Sequence, residues 1–393
     1  MQRFIGLLFY LVLSGSVPAS SQSAGSTEIF FLTCFPGNEV ASVYGHSALR
    51  VVDASVGSDE VYNWGVYDFS TPNFTWKFAK GRLKYKIASC PYEQFLQEYV
   101  NEQRRVVSQK INLTANQKEV LITLINNNMQ PENELYLYNF FYDNCSTRIR
   151  DIIEKATGDR LVYPGENTKI QPSFRKMINK AQKPMPWLIF GTDMLIGIPG
   201  DKKTGFREQM FLPEELMKNL SVTMIKDNNL MIPILQKPVT VVESSFSEPN
   251  TNFFLTPVFI FSLLFVIIAL LSVFTKTGKI IDGIDKLLFL AFSVLSVMMI
   301  FFTFFTDHQA MKMNLNIIWL NPILVIAFVA LFLKSRPTIW FKIIFVISAA
   351  FLLFLILLPQ SFNLAIIPLI LVLIIRSAAR SELSFTSFLK QNK

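Results

Sequence analysis

Two side chains in this sequence have the types expected of a nucleophile and its general base. Cys145 carries a thiol, and His46, 99 positions earlier, carries an imidazole that can accept the thiol proton. The chain has one other histidine, His308, so few alternative pairs exist. The simpler interpretation is a histidine that bonds within a core and a small buried cysteine. The polar setting DNCST around Cys145 favours the catalytic interpretation.

The residues around Cys145 predict a strand followed by a helix. Residues 134–142 alternate and are rich in aromatic side chains, as strands are. After Cys145 the apolar residues recur at helical spacing, and Gly158 lies where such a helix would end. A cysteine in the first turn of a helix lies at the positive end of the helix dipole, which lowers the pKa of a thiol. The pattern therefore predicts an activated thiolate.

A third residue must hold the second nitrogen of the imidazole in such a pair. Asn63, on the predicted strand after His46, is our first candidate, and Tyr62 and Asp68 compete with it. The backbone N–H of Cys145 is a candidate oxyanion donor. The residues predicted to contact substrate are Tyr62, Asn144, Arg148, Asp307 and His308. For the last two, at the edge of an apolar segment, solvated anchors are the simpler interpretation.

The elements that must position these residues are short and mixed in type, which predicts an α+β domain. Residues 182–200 are interpreted as a loop-rich apolar segment. Asp193 within it and Asp201 directly after it are turn residues or line the site. The predicted strands cover 28–33, a segment opening at His46, 61–66, 83–88, 106–113 and 134–142. The predicted helices cover 92–102, a segment opening with the Thr114–Gln117 capping box, the segment after Cys145, and 213–224.

Composition divides the chain into a soluble part and a membrane part. Hydrophobic residues make up 51% and the net charge is +8, but charge concentrates in the first 250 residues. Arg3, an apolar run at 5–13 and small residues near Ala19 and Ala24 predict a signal peptide, with a short uncleaved anchor as the alternative. No basic block, zinc-finger spacing or phosphate loop occurs, so nucleic-acid binding is a poor interpretation.

The other two cysteines, Cys34 and Cys90, show no CxxC spacing, so neither a metal site nor a cofactor is predicted. In an exported domain they could pair with each other, or both could remain free thiols.

Five apolar runs predict five membrane spans in the C-terminal part. They cover residues 253–274, 287–305, 317–333, 343–358 and 364–375. Alternate loops are basic, which places the large domain outside and the C-terminus inside by the positive-inside rule. The predicted divisions are a signal peptide (1–24), a periplasmic catalytic domain (25–238), a connector (239–252), a transmembrane domain (253–380) and a cytoplasmic tail (381–393).

Three segments together resemble a known family. They are LTCFPGNEVASVYGHSALRVVD, VYNWGVYDFSTPNF and PENELYLYNFFYDNCSTRIRDII. They look like the periplasmic domain of the Bacteroides-type lipoprotein N-acyltransferase family, Lnb, and the tail with TDHQAMKMNLNIIWLNP is similar to its membrane half. The histidine-then-cysteine order resembles permuted papain-like (NlpC-like) hydrolases and lecithin:retinol acyltransferase. The resemblance implies His46 as base and Cys145 as nucleophile, whereas Asn63 remains our own inference.

The resemblance implies an inner-membrane enzyme that moves an acyl chain between two lipid-anchored substrates. The donor is a membrane phospholipid, and the acceptor is the terminal amine of a diacylated lipoprotein in the bilayer. Phe140, Phe141 and Trp187 could line an acyl groove, although core packing is the simpler interpretation for each. One alternative is a membrane-anchored cysteine peptidase or amidase of the cell envelope, and another is an assembly or sensor protein without enzymatic activity.

Overall fold

The computed structural model describes residues 27–164, 171–227, 230–245, 251–274, 278–333 and 337–381. The predicted signal peptide and all but the first residue of the predicted tail lie outside these residues. The described chain forms a mixed α/β region followed by a helical region.

Ten strands of the described chain form two antiparallel sheets in the first region. The larger sheet has the order β10-β5-β1-β2-β3-β4-β6, and the smaller one the order β7-β8-β9. The strands are β1 (Thr27–Cys34), β2 (His46–Asp53), β3 (Ser58–Val66), β4 (Lys84–Pro91), β5 (Val106–Lys110), β6 (Leu135–Leu137), β7 (Leu161–Val162), β8 (Met224–Asp227), β9 (Leu230–Pro233) and β10 (Val239–Val242).

Thirteen helices occur among the described residues, eight in the first region and five in the second. In chain order they are α1 (Phe74–Ala79), α2 (Tyr92–Asn101), α3 (Ala115–Met129), α4 (Cys145–Thr157), α5 (Phe174–Ala181), α6 (Pro186–Leu195), α7 (Phe206–Gln209), α8 (Pro213–Ser221), α9 (Pro257–Phe274), α10 (Lys279–Phe304), α11 (Ile323–Ala330), α12 (Ile339–Phe354) and α13 (Ile366–Arg380). The predicted capping box opens α3, with Thr114 and Gln117 bonded reciprocally.

Successive residues of β2 point to opposite faces of the larger sheet, and each face has its own helices. Leu49 packs with Ile149 and Ile153 of α4 and Leu121 of α3 in one buried cluster. Ala48, the residue before Leu49, packs in a second cluster with aromatic residues of α2. The sheet is therefore covered on both faces, and α4 lies on the Leu49 face.

Three of the five helices in the second region are long and apolar enough to cross a membrane: Pro257–Phe274, Lys279–Phe304 and Ile339–Leu357. The helix α11 has 8 residues and α13 has 15. Inside this region Asp285 is fully buried and forms two bonds with Arg376 at 2.6 and 2.8 Å. Arg380 bonds the same carboxylate and also Asp282. Paired carboxylates and guanidinium groups of this kind hold α10 against α13.

The two regions contact each other through α6. Trp187 donates a hydrogen bond to the Leu255 carbonyl at 2.8 Å, and its ring lies 5.6 Å from the ring of Phe261 in α9. Phe190 packs against the buried cluster of the helical region. At the end of α6, Gly197 bonds Ala310, and a Cβ on this glycine would lie 2.0 Å from the Lys312 carbonyl oxygen. The backbone at Gly197 therefore approaches the backbone at Lys312 more closely than any side chain at position 197 would permit.

Several sequence predictions differ from the structure. The strand predicted at 134–142 ends at Leu137, because residues 139–143 form a turn held by Asn139. Residues 182–200 are not loop-rich, since Pro186 occupies the first turn of α6, where its missing N–H costs nothing. The predicted connector starts with β10, which pairs with β5. The third predicted span is helical only over Ile323–Ala330.

Candidate active site

Cys145 is the first residue of α4, as the sequence predicts. Asn144 caps the helix, because its side-chain oxygen accepts hydrogen bonds from the N–H groups of Ser146 and Thr147, both at 2.9 Å. Thr147 completes a capping box by accepting a hydrogen bond from the Asn144 N–H. The cap fixes the direction of the first helical turn. The Cys145 N–H itself has no acceptor among the described residues, so it remains available to a ligand.

His46 is the first residue of β2 and lies opposite Cys34 on β1. Gly45 before it has a φ of 75°, and a Cβ there would lie 2.5 Å from the Cys34 carbonyl oxygen. Glycine is therefore required for the chain to enter the strand at this point. One residue further, the Ser47 hydroxyl bonds the Ser146 hydroxyl at 3.1 Å, which ties β2 to α4.

His46 interacts with both of its predicted partners. Its Nε2 donates a hydrogen bond to the side-chain oxygen of Asn63 at 3.1 Å. The thiol of Cys145 lies close enough to the same imidazole for each group to shift the pKa of the other, and its sulfur is 3.9 Å from the Ser146 hydroxyl. Because Nε2 is occupied by Asn63, Nδ1 is the nitrogen left for the sulfur. The amide of Asn63 is held in turn by Cys90, at 3.9 Å between nitrogen and sulfur.

The electrostatics of the pair favour the charged form of both groups. Burial alone raises the pKa of Cys145, but the charge of His46 and its hydrogen bond outweigh burial, so that the pKa lies below its usual value. Burial lowers the pKa of His46, but the charge of Cys145 and the hydrogen bonds to Cys145 and Asn63 raise it above its usual value. The arrangement therefore favours a thiolate beside an imidazolium, the reactive form of a cysteine nucleophile.

Asn144 and Arg148, two of the other predicted site residues, use their polar side-chain atoms in bonds within the protein. Asn144 has no spare polar atom for a substrate, because its amide nitrogen donates to the carbonyls of Phe140 and Phe211. Arg148 forms two bonds with Asp143 at 2.6 and 2.8 Å. Both side chains therefore shape the turn before Cys145, and their contact with substrate remains a prediction.

Neither competitor for the position of Asn63 contacts His46. Tyr62 packs on the opposite face of β3, with the α4 cluster. Asp68 is exposed and accepts two hydrogen bonds from Ser70.

Asp307 and His308 lie at the contact between the two regions. Asp307 forms an exposed ion pair with Arg82 at 2.6 Å, and His308 Nε2 bonds the Phe78 carbonyl at 3.0 Å. The ring of His308 lies within 3.2 Å of the position that a Cβ on Gly81 would occupy. The structure thus gives these residues partners in the first region, and their proposed substrate role remains a prediction.

Two tyrosines near the thiol were not singled out from the sequence. Tyr136 and Tyr138 point to the face of the sheet that carries α4, and Tyr136 shares the buried cluster of Cys145. The hydroxyl of Tyr136 is buried without a hydrogen-bond partner. Burial and the charge of Cys145 raise the pKa of Tyr138. The alternation of tyrosines within residues 134–138 was the available signal, but it does not reveal which face is reactive.

A cavity of about 760 Å³ lies beside the segment that leads into β2. Tyr44 forms part of its wall, and the Tyr44 ring packs against Phe140 at 4.7 Å. The Phe140 carbonyl accepts a hydrogen bond from Asn144, the cap of α4. Tyr44 and Phe140 therefore link the wall of the cavity to the residue that precedes Cys145. Phe141, one of the three residues considered for an acyl groove, is buried in an aromatic cluster, and its ring centroid lies 4.5 Å from that of Phe174.

Comparison with known families gives two matches along the chain. Residues 19–172 match the sequence model of the Lnb N-terminal periplasmic domain, and residues 248–387 match that of the Lnb transmembrane domain. The first match includes His46, Asn63 and Cys145. No curated protein and no solved structure matches the chain. The matched regions support a periplasmic domain followed by a membrane domain, in the order that the structure has.

Proposed function

The chain belongs to the Lnb family of lipoprotein maturation, and from that premise we propose that it is a lipoprotein N-acyltransferase with Cys145 as its nucleophile. The enzyme takes a fatty acyl chain from a membrane phospholipid. It transfers the chain to the α-amine of the N-terminal diacylglyceryl-cysteine of a lipoprotein. The observation that carries the proposal is the arrangement of Cys145, His46 and Asn63, with the His46 to Asn63 bond at 3.1 Å.

The first half-reaction forms a thioester on the enzyme. The Cys145 thiolate attacks the carbonyl carbon of a phospholipid ester, and the Cys145 N–H donates to the developing oxyanion. The intermediate collapses with cleavage of the ester C–O bond. The imidazolium of His46 gives its proton to the leaving alkoxide, so that a neutral lysophospholipid hydroxyl departs.

The second half-reaction releases the acyl chain to the acceptor. The lipoprotein amine attacks the thioester carbonyl, and neutral His46 accepts a proton from the attacking nitrogen. An amide bond forms, the C–S bond breaks and the Cys145 thiolate returns. Asn63 holds the ring of His46 in one orientation through both steps, because its oxygen accepts the Nε2 proton.

The membrane region supports a transferase over the alternative, a cysteine peptidase or amidase of the envelope. A wall hydrolase needs one anchor at most, whereas here α6 packs into the helical region. Both proposed substrates are held in the bilayer, so a catalytic site fixed to membrane helices meets them at high effective concentration. We extend the proposal to a permuted papain-like fold, five membrane spans and a cytoplasmic C-terminus.

The test is an acyl-enzyme trap on the full chain in lipid nanodiscs. Wild-type protein and Cys145→Ser are incubated with a phospholipid of defined chains, and intact mass is recorded. An added acyl mass on Cys145 that disappears when a diacylated lipopeptide is added supports transfer. Absence of an adduct from every phospholipid would remove the transferase, and discharge by water at the same rate as by lipopeptide would favour the hydrolase.

A further inference from the structure

The cavity beside the active site has a basic rim and an apolar floor. Four lysines line it, and all four are exposed: Lys176, Lys180, Lys183 and Lys218. Buried apolar residues lie beneath them, including Val43, Met177 and Leu212, which are 2%, 6% and 6% exposed. A wall that is charged at the mouth and apolar at depth fits an amphiphile that carries a negative charge.

The charge of the rim is only partly neutralised. Lys180 and Lys218 share the carboxylate of Glu215, each at 3.4 Å. Lys176 and Lys183 have no ion-pair partner among the described residues. Because the lining contains four lysines and two glutamates, it carries an excess of two positive charges. Basic side chains with free donors bind phosphate oxygens strongly.

The lining of the cavity includes residues near both the membrane region and His46. Tyr44 precedes His46 by two residues and packs against Phe140. Met185 leads into α6, whose Trp187 bonds the Leu255 carbonyl just before α9 begins. The two parts of the lining are joined by Gln182, which donates to the Tyr44 hydroxyl and accepts from the Met185 N–H. A lipid that leaves the bilayer beside α9 would therefore meet the lysines while its glycerol esters lie towards the catalytic strand.

We propose that this cavity binds the phosphate-bearing headgroup of the phospholipid acyl donor, with the phosphate at Lys176 and Lys183 and the glycerol and proximal chain over Met177 and Leu212. This inference rests on the proposed function, since it assigns a place to the donor of that reaction. The lysines would recognise the donor by its phosphate, independently of the ester carbonyl that reacts with Cys145.

The first test compares two donors that differ only in the phosphate group. Acylation of Cys145 in nanodiscs is followed by mass spectrometry with a phosphatidylglycerol and with a diacylglycerol of the same chains. Lys176→Gln/Lys183→Gln should raise the mole fraction of phosphatidylglycerol needed for half-maximal rate about tenfold, while the maximal rate stays close to wild type. With diacylglycerol the variant and the wild type should behave alike.

Lys155→Gln/Lys226→Gln is the matched control, because it removes the same charge at two exposed lysines that do not line the cavity. If the control raised the half-saturating mole fraction of phosphatidylglycerol as much as the cavity variant does, the effect would be a general attraction to the membrane. That result would overturn the proposal. An unchanged half-saturation in the cavity variant, or an equal loss with diacylglycerol, would also overturn it.

A binding measurement separates this proposal from the catalytic one. Titration of Cys145→Ala with soluble dihexanoyl-phosphatidylglycerol should show binding that Lys176→Gln/Lys183→Gln weakens, whether or not any acyl transfer occurs. Equal binding of sn-glycerol 3-phosphate would mean that the cavity selects a free anion, and the lipid assignment would fail. Binding without any thioester on wild-type Cys145 would retain the site and refute the transferase.

Discussion

Two buried polar clusters of this molecule differ in how completely their hydrogen bonds are satisfied. Arg175 of α5 is 2% exposed, and its guanidinium bonds two carboxylates and three backbone carbonyls at the end of α6. In the Cys145 cluster, by contrast, the Cys145 N–H and the Tyr136 hydroxyl have no partner among the described residues. The first cluster holds α5 against the end of α6. The second cluster retains polar groups that a ligand can bond.

The comparison teaches that burial alone does not identify a functional site. Asp193 accepts from Arg175 and Asn179, and also from Asn363 of the helical region. All polar side-chain atoms of Arg175 and Asp193 are bonded, although the Asn179 oxygen has no partner among the described residues. Such a network holds a structure together, although it contains more charge than the pair of Cys145 and His46. Unfilled donors beside a nucleophile are what distinguish the reactive cluster.

The largest effect is expected from a substitution in the cluster of Cys145 and His46. His46→Ala should lower the rate of Cys145 acylation by about 10²–10⁴-fold, because it removes the imidazolium that stabilises the thiolate and protonates the leaving alkoxide. Thermal unfolding should change little, since the site is not what joins the elements. Measurement of thioester formation together with the melting temperature tests this expectation.

The pH dependence of alkylation supplies the control for that variant. Because the pKa of Cys145 is lowered and that of His46 is raised, wild-type thiolate persists at lower pH than an ordinary thiol. In His46→Ala the imidazolium is absent, and burial becomes the main influence on the pKa of Cys145 and raises it. The rate of alkylation by iodoacetamide should therefore rise at higher pH in this variant than in the wild type. An unshifted profile would show that the two groups do not interact.

In the Arg175 cluster, Arg175→Met should destabilise the protein by about 3–5 kcal/mol, because it leaves the buried Asp193 and the partly buried Asp201 without their cation. Arg207→Met is the matched control, since Arg207 pairs with Asp151 and Glu154 but is half exposed and should cost under about 1 kcal/mol. Equal losses in the unfolding curves of the two variants would contradict the distinction drawn between the clusters.

Asn63→Ala should reduce Cys145 acylation by about 10–100-fold, which is the range expected for loss of a hydrogen bond to a charged group. Asn63→Gln moves the amide along the strand face and should recover only part of the rate. Both variants should retain the wild-type half-saturation for phospholipid, because Asn63 contacts the base and not the donor cavity. A rise in half-saturation without loss of maximal rate would exclude the orienting role.

The smallest effect concerns the unfilled hydroxyl. Tyr136→Phe should stabilise the protein by about 1 kcal/mol, because it removes a buried polar atom that has no partner. Tyr85→Phe is a suitable comparison, because Tyr85 of β4 lies directly opposite Tyr136 of the neighbouring strand β6. Denaturation of both variants under the same conditions tests the expectation, and a destabilised Tyr136→Phe would mean that the hydroxyl is bonded in solution.

The sequence predicted best where local signals and tertiary contacts agree. The start of α4 at Cys145 and its end at Gly158 are confirmed, because a cap and a helical stripe mark them. The contact between His46 and Asn63 was less certain, since strand parity left Tyr62 open as an alternative. The pairing of Ala48 with Asn63 decides which side of β3 faces the histidine.

The remaining differences come from contacts that no local pattern encodes. Pro184 and Pro186 indicate a loop, yet α6 forms because its apolar residues are covered by the helical region. The cavity lysines come from α5, α8 and the turn between α5 and α6, so their grouping depends on tertiary packing. The predicted substrate contact at Asp307 was based on its position beside the membrane, but Arg82 is its partner.

The packing of α6 has a consequence for biogenesis. Its residues are synthesised before those of α9, yet Phe190 and Trp187 complete their contacts only on that later helix. Until α9 has been synthesised, these two side chains of α6 therefore lack their partner ring on that helix. Secretion of residues 1–245 alone would leave α6 permanently uncovered, and we expect such a fragment to need a chaperone or detergent to remain monomeric.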